Sequence, residues 1–119
     1  MKREDKIEKI YIKSGRSDMR KGIDGMSCLV AELLGEEALF DEYAVFLFCG
    51  RKKDRYKILK WEGDGFNLSY KRLDVSKLQW PKNSEDMIQI DERQLRWLLE
   101  GLSIYQPKAV NKSGAGQIV

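Results

Sequence analysis

The strongest fold signal in this sequence is VFLFCGRKKDRYKILKWEGDGFNLSYKRLDVSKLQWP, residues 45–81. It opens with a run of apolar residues, which is typical of a strand covered on both faces of a sheet. Two segments of alternating polarity follow, residues 55–61 and 66–72, and the glycine-containing turn EGDG separates them. We therefore predict a meander of three antiparallel strands, with the basic turn GRKKD at residues 50–54 between the first two.

An amphipathic helix is predicted ahead of this meander. Residues 18–35 carry apolar side chains at spacings of three and four, and Ser17 or Asp18 is suited to cap the first turn. Gly22 and Gly25 interrupt the pattern, and each costs up to about 1 kcal/mol relative to alanine inside a helix. They indicate either close packing against another backbone, which we favour, or a helix that begins later.

Three further elements complete the predicted order. Residues 7–13 alternate in polarity as a first strand, and residues 87–90 form a short last strand. Asp91 and Gln94 then resemble a capping box that opens a leucine-rich helix. The order β-α-β-β-β-β-α predicts an α+β fold, with an antiparallel sheet of four to five strands and two helices packed mainly on one face.

Length and composition indicate a globular chain. With 119 residues, of which 42% are hydrophobic and 34% charged, we expect one domain over residues 1–106 and a flexible tail over residues 107–119. No apolar run has the length of a membrane span, and no secretory signal is visible at the N-terminus. Cys28 and Cys49 lie far apart in sequence and are expected to be reduced, which favours a cytoplasmic location without membrane partners.

The absence of histidine removes the usual general base and the commonest zinc ligand. Four aspartates could suggest a two-metal nuclease, but this short chain and its element order do not fit the larger mixed-sheet domain that carries such carboxylates. The four are Asp18, Asp24, Asp64 and Asp74. We expect no catalytic residues, no metal and no cofactor.

Positive charge is concentrated in the meander. Residues 43–82 hold ten Lys and Arg against four Asp and Glu, although the whole chain carries only +3. Such a local excess of positive charge is typical of proteins that bind the phosphates of nucleic acid. The alternative interpretation is that the lysines protect an exposed sheet edge against aggregation. The candidate nucleic-acid-binding residues are Arg51, Lys52, Lys53, Arg55, Lys57, Lys71 and Arg72, with Arg20 and Lys21 near the start of the first helix.

The aromatic residues of the meander have two possible roles. Phe66 and Tyr70 fall on its apolar face and are assigned to the core, whereas Trp61 and Trp80 could equally pack inside or stack on bases. Trp97 lies off the leucine stripe of the last helix, so we interpret it as a candidate contact for a protein partner.

Several blocks of this sequence together resemble the TnpB (Orf2-like) accessory proteins of the insertion sequence 66 family of bacterial transposable elements. The resemblance covers residues 10–102, but Lys60, Asn67 and Ser69 stand where the family pattern usually has other residues. The matching blocks are DMRKGIDGM (18–26), FLFCGRKKDRYKILKWEGDGFNLSYKRL (46–73), QWP (79–81) and WLLEGL (97–102).

The resemblance implies a non-catalytic accessory factor in DNA transposition, a form of DNA recombination by a mobile element. In such elements a separate, larger transposase carries the catalytic carboxylates. DNA, the transposase and other proteins of the element are the implied partners, and the oligomeric state stays open. The alternatives are an adaptor that binds the transposase without touching DNA, and a small ribonuclease of the bacterial toxin type, which the lack of histidine disfavours.

Overall fold

The fold is known from a computed structural model, which describes residues 6–82 and 84–106. The tail expected at residues 107–119 lies outside the described residues. No helix in the described ranges is both long enough and apolar enough to span a membrane. In chain order the elements are β1 (Lys9–Arg16), α1 (Ile23–Leu34), α2 (Glu36–Leu39), β2 (Ala44–Cys49), β3 (Arg55–Trp61), β4 (Phe66–Arg72), β5 (Met87–Ile90) and α3 (Glu92–Leu99). The predicted α+β class is confirmed, and α2 is an addition.

The five strands form one sheet in the order β4-β3-β2-β1-β5. The meander β2-β3-β4 is antiparallel as predicted, and β5 is antiparallel to β1. The pair β1 and β2 is parallel, because the chain crosses over through α1 between them. The sheet is therefore mixed rather than purely antiparallel, and the carboxyl ends of β1 and β2 lie at the same end of the sheet.

Both faces of the sheet are buried at its centre, since every residue of β2 is buried. On one face α1 and α2 pack against β2, with Met26 of α1 against Phe46 and Phe48. On the other face α3 and the segment after β4 pack against it, with Leu98 and Trp80 in that cluster. The expectation that both helices lie mainly on one face is therefore corrected, because a strand buried on both sides needs cover on both.

The helix ends differ in how well the sequence indicated them. The capping box of α3 is confirmed: the Gln94 backbone N–H donates to the Asp91 side chain at 2.7 Å, and the Asp91 N–H donates to Gln94 at 3.0 Å. By contrast α1 begins only at Ile23, with Gly22 as an N-cap that has no side-chain hydrogen bond. The later start is thus the correct alternative, and the predicted cap at Ser17 or Asp18 is wrong.

Candidate nucleic-acid interface

A cleft of about 750 Å³ opens where β1 and β2 end side by side. Its walls are the loop that follows β1 and the turn that follows β2. The carboxyl ends of parallel strands are a common place for ligands in sheets with crossover connections, because the loops there diverge. We call this cavity the basic cleft; it is lined by Arg16, Ser17, Asp18, Met19, Arg20, Gly50, Arg51, Lys52 and Arg55.

The loop after β1 is held in place by three contacts with the neighbouring strands. The Ser17 N–H donates to the Cys49 carbonyl at 2.8 Å, which continues the β1–β2 pairing past the strand end. The Met19 side chain packs so closely on Gly50 that a Cβ at Gly50 would lie 2.7 Å from Met19 Cγ. Lys57 makes the third contact from β3.

The ammonium of Lys57 donates to the Met19 carbonyl at 2.8 Å and to the Lys21 carbonyl at 2.9 Å. It also lies 5.8 Å from the centre of the Tyr70 ring. These bonds occupy donors that a phosphate would otherwise use. Lys57 therefore fixes the wall of the cleft from behind.

Two of the arginines are paired with carboxylates. Asp18 accepts two hydrogen bonds of 3.0 Å from the Arg20 guanidinium, and these hydrogen bonds lower the pKa of Asp18 from 3.8 to about 2. Asp54 accepts from Arg55 at 2.8 Å, and this bond lowers the pKa of Asp54. Both carboxylates are therefore ionised at neutral pH and orient their arginines.

The other cations of the cleft keep their charge uncompensated. Within residues 6–82 and 84–106, Arg16, Arg51 and Lys52 form no ion pair, and all three are exposed. The cleft thus brings together five cationic side chains and one carboxylate, Asp18. Such a cavity favours an anion with several oxygens, because guanidinium groups bind phosphate in a bidentate manner.

Two smaller hollows adjoin the basic cleft and add further lysines to its positive surface. One, of about 260 Å³, shares Arg16, Gly50 and Arg51 with the cleft. Its other lining residues are Gly15, Lys53, Trp80, Pro81, Lys82 and Glu85. The other, of about 460 Å³, shares Met19, Arg20 and Arg55 and adds Lys57, Leu68 and Tyr70. Together they form a continuous path around the end of the sheet.

Most of the predicted nucleic-acid-binding residues meet on this path. Arg20, Arg51, Lys52 and Arg55 line the cleft itself, and Lys53 lines an adjoining hollow. Arg16 was not among the predicted residues, because its pairing with Cys49, directly before Gly50 and Arg51, follows only from the parallel arrangement of β1 and β2.

The remaining predicted residues are more scattered. Arg72 lies directly opposite Arg55 in the β3–β4 register, on the same face as the cleft wall. Lys57 and Lys71 lie on opposite faces of the meander, because Lys57 pairs with Tyr70 and Lys71 pairs with Tyr56. Lys21 is exposed just before α1 and does not line the cleft.

The structure divides the aromatic residues differently from the sequence pattern. Trp80 is buried, and its indole N–H donates to the Lys13 carbonyl at 2.8 Å. Trp61 contacts Phe66 and Phe40 at ring-centre distances of 4.9 and 5.0 Å, near α2. Tyr70, which was assigned to the core, is 52% exposed and lines the hollow beside Arg55. The reason is that β4 is an edge strand and α1 covers only part of it.

Trp97 lies in a separate region on α3. The Arg93 guanidinium lies 5.5 Å from the centre of its ring, and both residues line a hollow of about 460 Å³ with Ile104 and Tyr105. Tyr105 and Leu102 are exposed nearby in the chain. The hollow also contains Asp91, Gln94 and Gln106, so it combines aromatic rings with polar side chains and is not strongly basic.

No group of three or more His, Cys, Asp or Glu side chains in the described part of the chain is arranged to hold a metal ion. The Cys49 thiol is buried, and burial raises its pKa to about 12. The Ser17 hydroxyl oxygen is also buried and has no hydrogen-bond partner among the described residues. What the described site offers is therefore charge and hydrogen-bond donors.

Comparisons with known proteins agree with the resemblance seen in the sequence. Residues 8–109 match a family model described as "IS66 Orf2 like protein". The chain is 32% identical over 100 residues to the uncharacterized protein y4hO of Sinorhizobium fredii (strain NBRC 101917 / NGR234), covering 84% of this chain and 85% of the relative. It is 28% identical over 96 residues to the uncharacterized protein y4jC of the same strain, covering 79% of each. No solved structure matches the chain.

Proposed function

The chain belongs to the IS66 Orf2-like family of transposition-associated accessory proteins, and we propose that it serves transposition by binding DNA through the basic cleft. The observation that carries this proposal is the convergence of five cationic side chains at the joined ends of β1 and β2. Three of them have no carboxylate partner in the described part of the chain, so they are available to replace the counterions of a phosphate backbone. In this proposal the chain itself catalyses no step, and the element's transposase supplies the chemistry.

Charge at the cleft, rather than net charge, carries the argument. The whole chain has a net charge of only +3, so unspecific attraction of the whole molecule to DNA is weak. The acidic residues of α2 lie at the opposite end of β2 from the cleft. DNA that approaches the molecule therefore meets one positive end.

The test is DNA binding measured by fluorescence anisotropy as a function of salt. Each phosphate contact contributes about 0.7 to 0.9 to the slope of log K against log salt, so three to five contacts predict a slope of about −2 to −4.5. Arg51→Ala with Lys52→Ala should reduce the slope by about 1.4 and weaken binding about 25-fold at 0.1 M salt. Charge reversal of Arg51, Lys52, Lys53 and Arg55 to Glu should abolish binding.

The matched control removes two positive charges at the other end of β1. Lys6→Ala with Lys9→Ala changes the net charge equally, but Lys9 lies about 20 Å along the strand from Arg16, beyond a Debye length. This control should bind as the unaltered protein does. Equal loss in both double variants would mean that net charge alone acts, and absence of salt-dependent binding at micromolar protein would refute the proposal.

A second candidate function is an adaptor that holds the transposase without contacting DNA. The observation that favours it is the exposed apolar region near Trp97, which includes Leu102 and Tyr105. In that case Trp97→Ala would weaken co-purification with the transposase, nuclease treatment would not, and the Arg51 and Lys52 variant would leave the complex intact. Loss of the complex after nuclease treatment would instead favour the DNA-binding function.

A further inference from the structure

Tyr70 is an exposed aromatic residue beside three cationic side chains. It is 52% exposed on the edge strand β4, and the hollow that it lines also contains Arg20, Arg55 and Lys57. An exposed ring beside cations is the combination by which proteins bind unpaired nucleic-acid strands: the cations follow the backbone and the ring stacks on a base. The sequence pattern hid this role, because Tyr70 alternates in phase with Phe66 and Leu68.

We infer that the basic cleft and the hollow beside Tyr70 together bind an unpaired DNA strand, with the Tyr70 ring stacking on one base. This inference rests on the proposed DNA-binding function and specifies the form of DNA that is bound. The strand's phosphates lie against Arg16, Arg51 and Lys52. One base then turns towards β4, where Tyr70 receives it.

The shape of the site favours one strand over a duplex. The walls of the cleft follow neighbouring strands, which are about 4.8 Å apart, and the cavity of about 750 Å³ is within the range of pockets that hold one small ligand. Proteins that read a duplex usually insert a helix or a β-ribbon into its major groove, about 12 Å wide. The cleft is concave and bounded by loops, so it receives a strand rather than entering a groove.

The extent of the path agrees with a short length of strand. From Tyr70 on β4 to Arg16 at the end of β1 the path crosses three strand spacings, about 14 Å, which is the length of a few nucleotides. Stacking adds a further requirement, because a ring can stack on a base only when that base is released from its own helix. Unpaired DNA meets this requirement, whereas a duplex must first be opened.

The chain offers matched variants for a test. Tyr70→Leu removes the ring but keeps an apolar side chain on the strand, and Tyr70→Phe keeps the ring. Tyr43→Leu is the control, since Tyr43 is 50% exposed but precedes β2, at the opposite end of that strand from the cleft. Anisotropy is measured with a labelled deoxyoligonucleotide of about twelve residues and with its duplex, at the same salt concentration.

We expect the unpaired oligonucleotide to bind at least tenfold more tightly than the duplex. Tyr70→Leu should weaken its binding about 5- to 150-fold, whereas Tyr70→Phe and Tyr43→Leu should have little effect. Duplex binding should be the same in all four proteins. Circular dichroism of each variant checks that the fold is retained.

The outcomes separate this inference from the proposed function. Equal or tighter binding of the duplex by the unaltered protein would overturn the inference, even if Tyr70→Leu failed to fold. So would an unchanged affinity of Tyr70→Leu for the unpaired strand. If the duplex binds and the Arg51 and Lys52 double variant weakens it, DNA binding stands and only the preference for unpaired DNA fails. If neither form binds, both proposals fail.

Discussion

Replacing Lys57 with methionine separates two roles that a lysine near the cleft can have. If Lys57 contacts phosphate, its loss reduces by about one the number of counterions that DNA releases on binding, and it leaves the fold intact. If it holds the loop after β1, its loss destabilises the protein instead. The structure favours the second role, because the ammonium donates to the carbonyls of Met19 and Lys21 at 2.8 and 2.9 Å. Methionine keeps the apolar part of the side chain and removes only these donors.

The size of the effect follows from the two hydrogen bonds. A hydrogen bond to a charged group contributes about 1.5–3 kcal/mol when shielded and less when exposed. One of the two bonds is partly buried and the other exposed, so we expect a loss of about 2 kcal/mol in the free energy of unfolding. With an m-value of about 2 kcal/mol per molar, the urea midpoint should fall by about 1 M.

Urea titration and the salt dependence of DNA binding are measured on the same variants. Lys57→Met should lower the urea midpoint and leave the slope of log K against log salt unchanged. Lys71→Met is the control for stability, since Lys71 is exposed on the neighbouring strand. This variant should change the free energy of unfolding by less than about 0.5 kcal/mol. An unchanged midpoint for Lys57→Met, together with a slope reduced by about 0.7, would refute the structural role.

Three further predictions concern the thiols, the pH dependence and a turn. Iodoacetamide at pH 8 should label exposed Cys28 and not Cys49, whose pKa is raised to about 12 by burial, until urea is added; mass spectrometry counts the labels. DNA affinity should be constant from about pH 5 to 8, because the chain has no histidine. Asp18, whose pKa is lowered from 3.8 to about 2, titrates only below this range. A step in affinity near pH 6.5 would contradict this prediction. Gly63→Ala should destabilise by about 1–2 kcal/mol in urea titration, since φ is +92° there, whereas Gly65→Ala should not.

Local sequence patterns were sufficient for the meander and for α3. Strands β3 and β4 span the predicted residues, because their alternation and the turn between them are local signals. The capping box of α3 likewise consists of two residues close in sequence, Asp91 and Gln94. Each of these features is decided by neighbours in sequence.

The pairing of β1 with β2 could not be read in the same way. The residues of β1 and β2 do not indicate which strands lie beside them in the sheet. Their parallel arrangement depends on the crossover through α1. The cleft depends on that pairing, so Arg16 was not predicted, whereas Arg51 and Lys52, which also line the cleft, were candidates from charge alone. The exposure of Tyr70 was missed for a related reason, since its place on an edge strand depends on the order of the sheet.

The mixed sheet also explains how one short chain can carry both a full core and a charged site. Strand β2 is buried on both faces, so neither face at the centre of the sheet is free to bind a ligand. The parallel crossover leaves the joined ends of β1 and β2 as a place where loops diverge and cations gather. There Arg20 and Arg55 are ion-paired with Asp18 and Asp54, and the Lys57 ammonium donates to a carbonyl of the loop after β1. In the proposed DNA complex, these two paired arginines would lose less conformational entropy than arginines on a flexible basic tail.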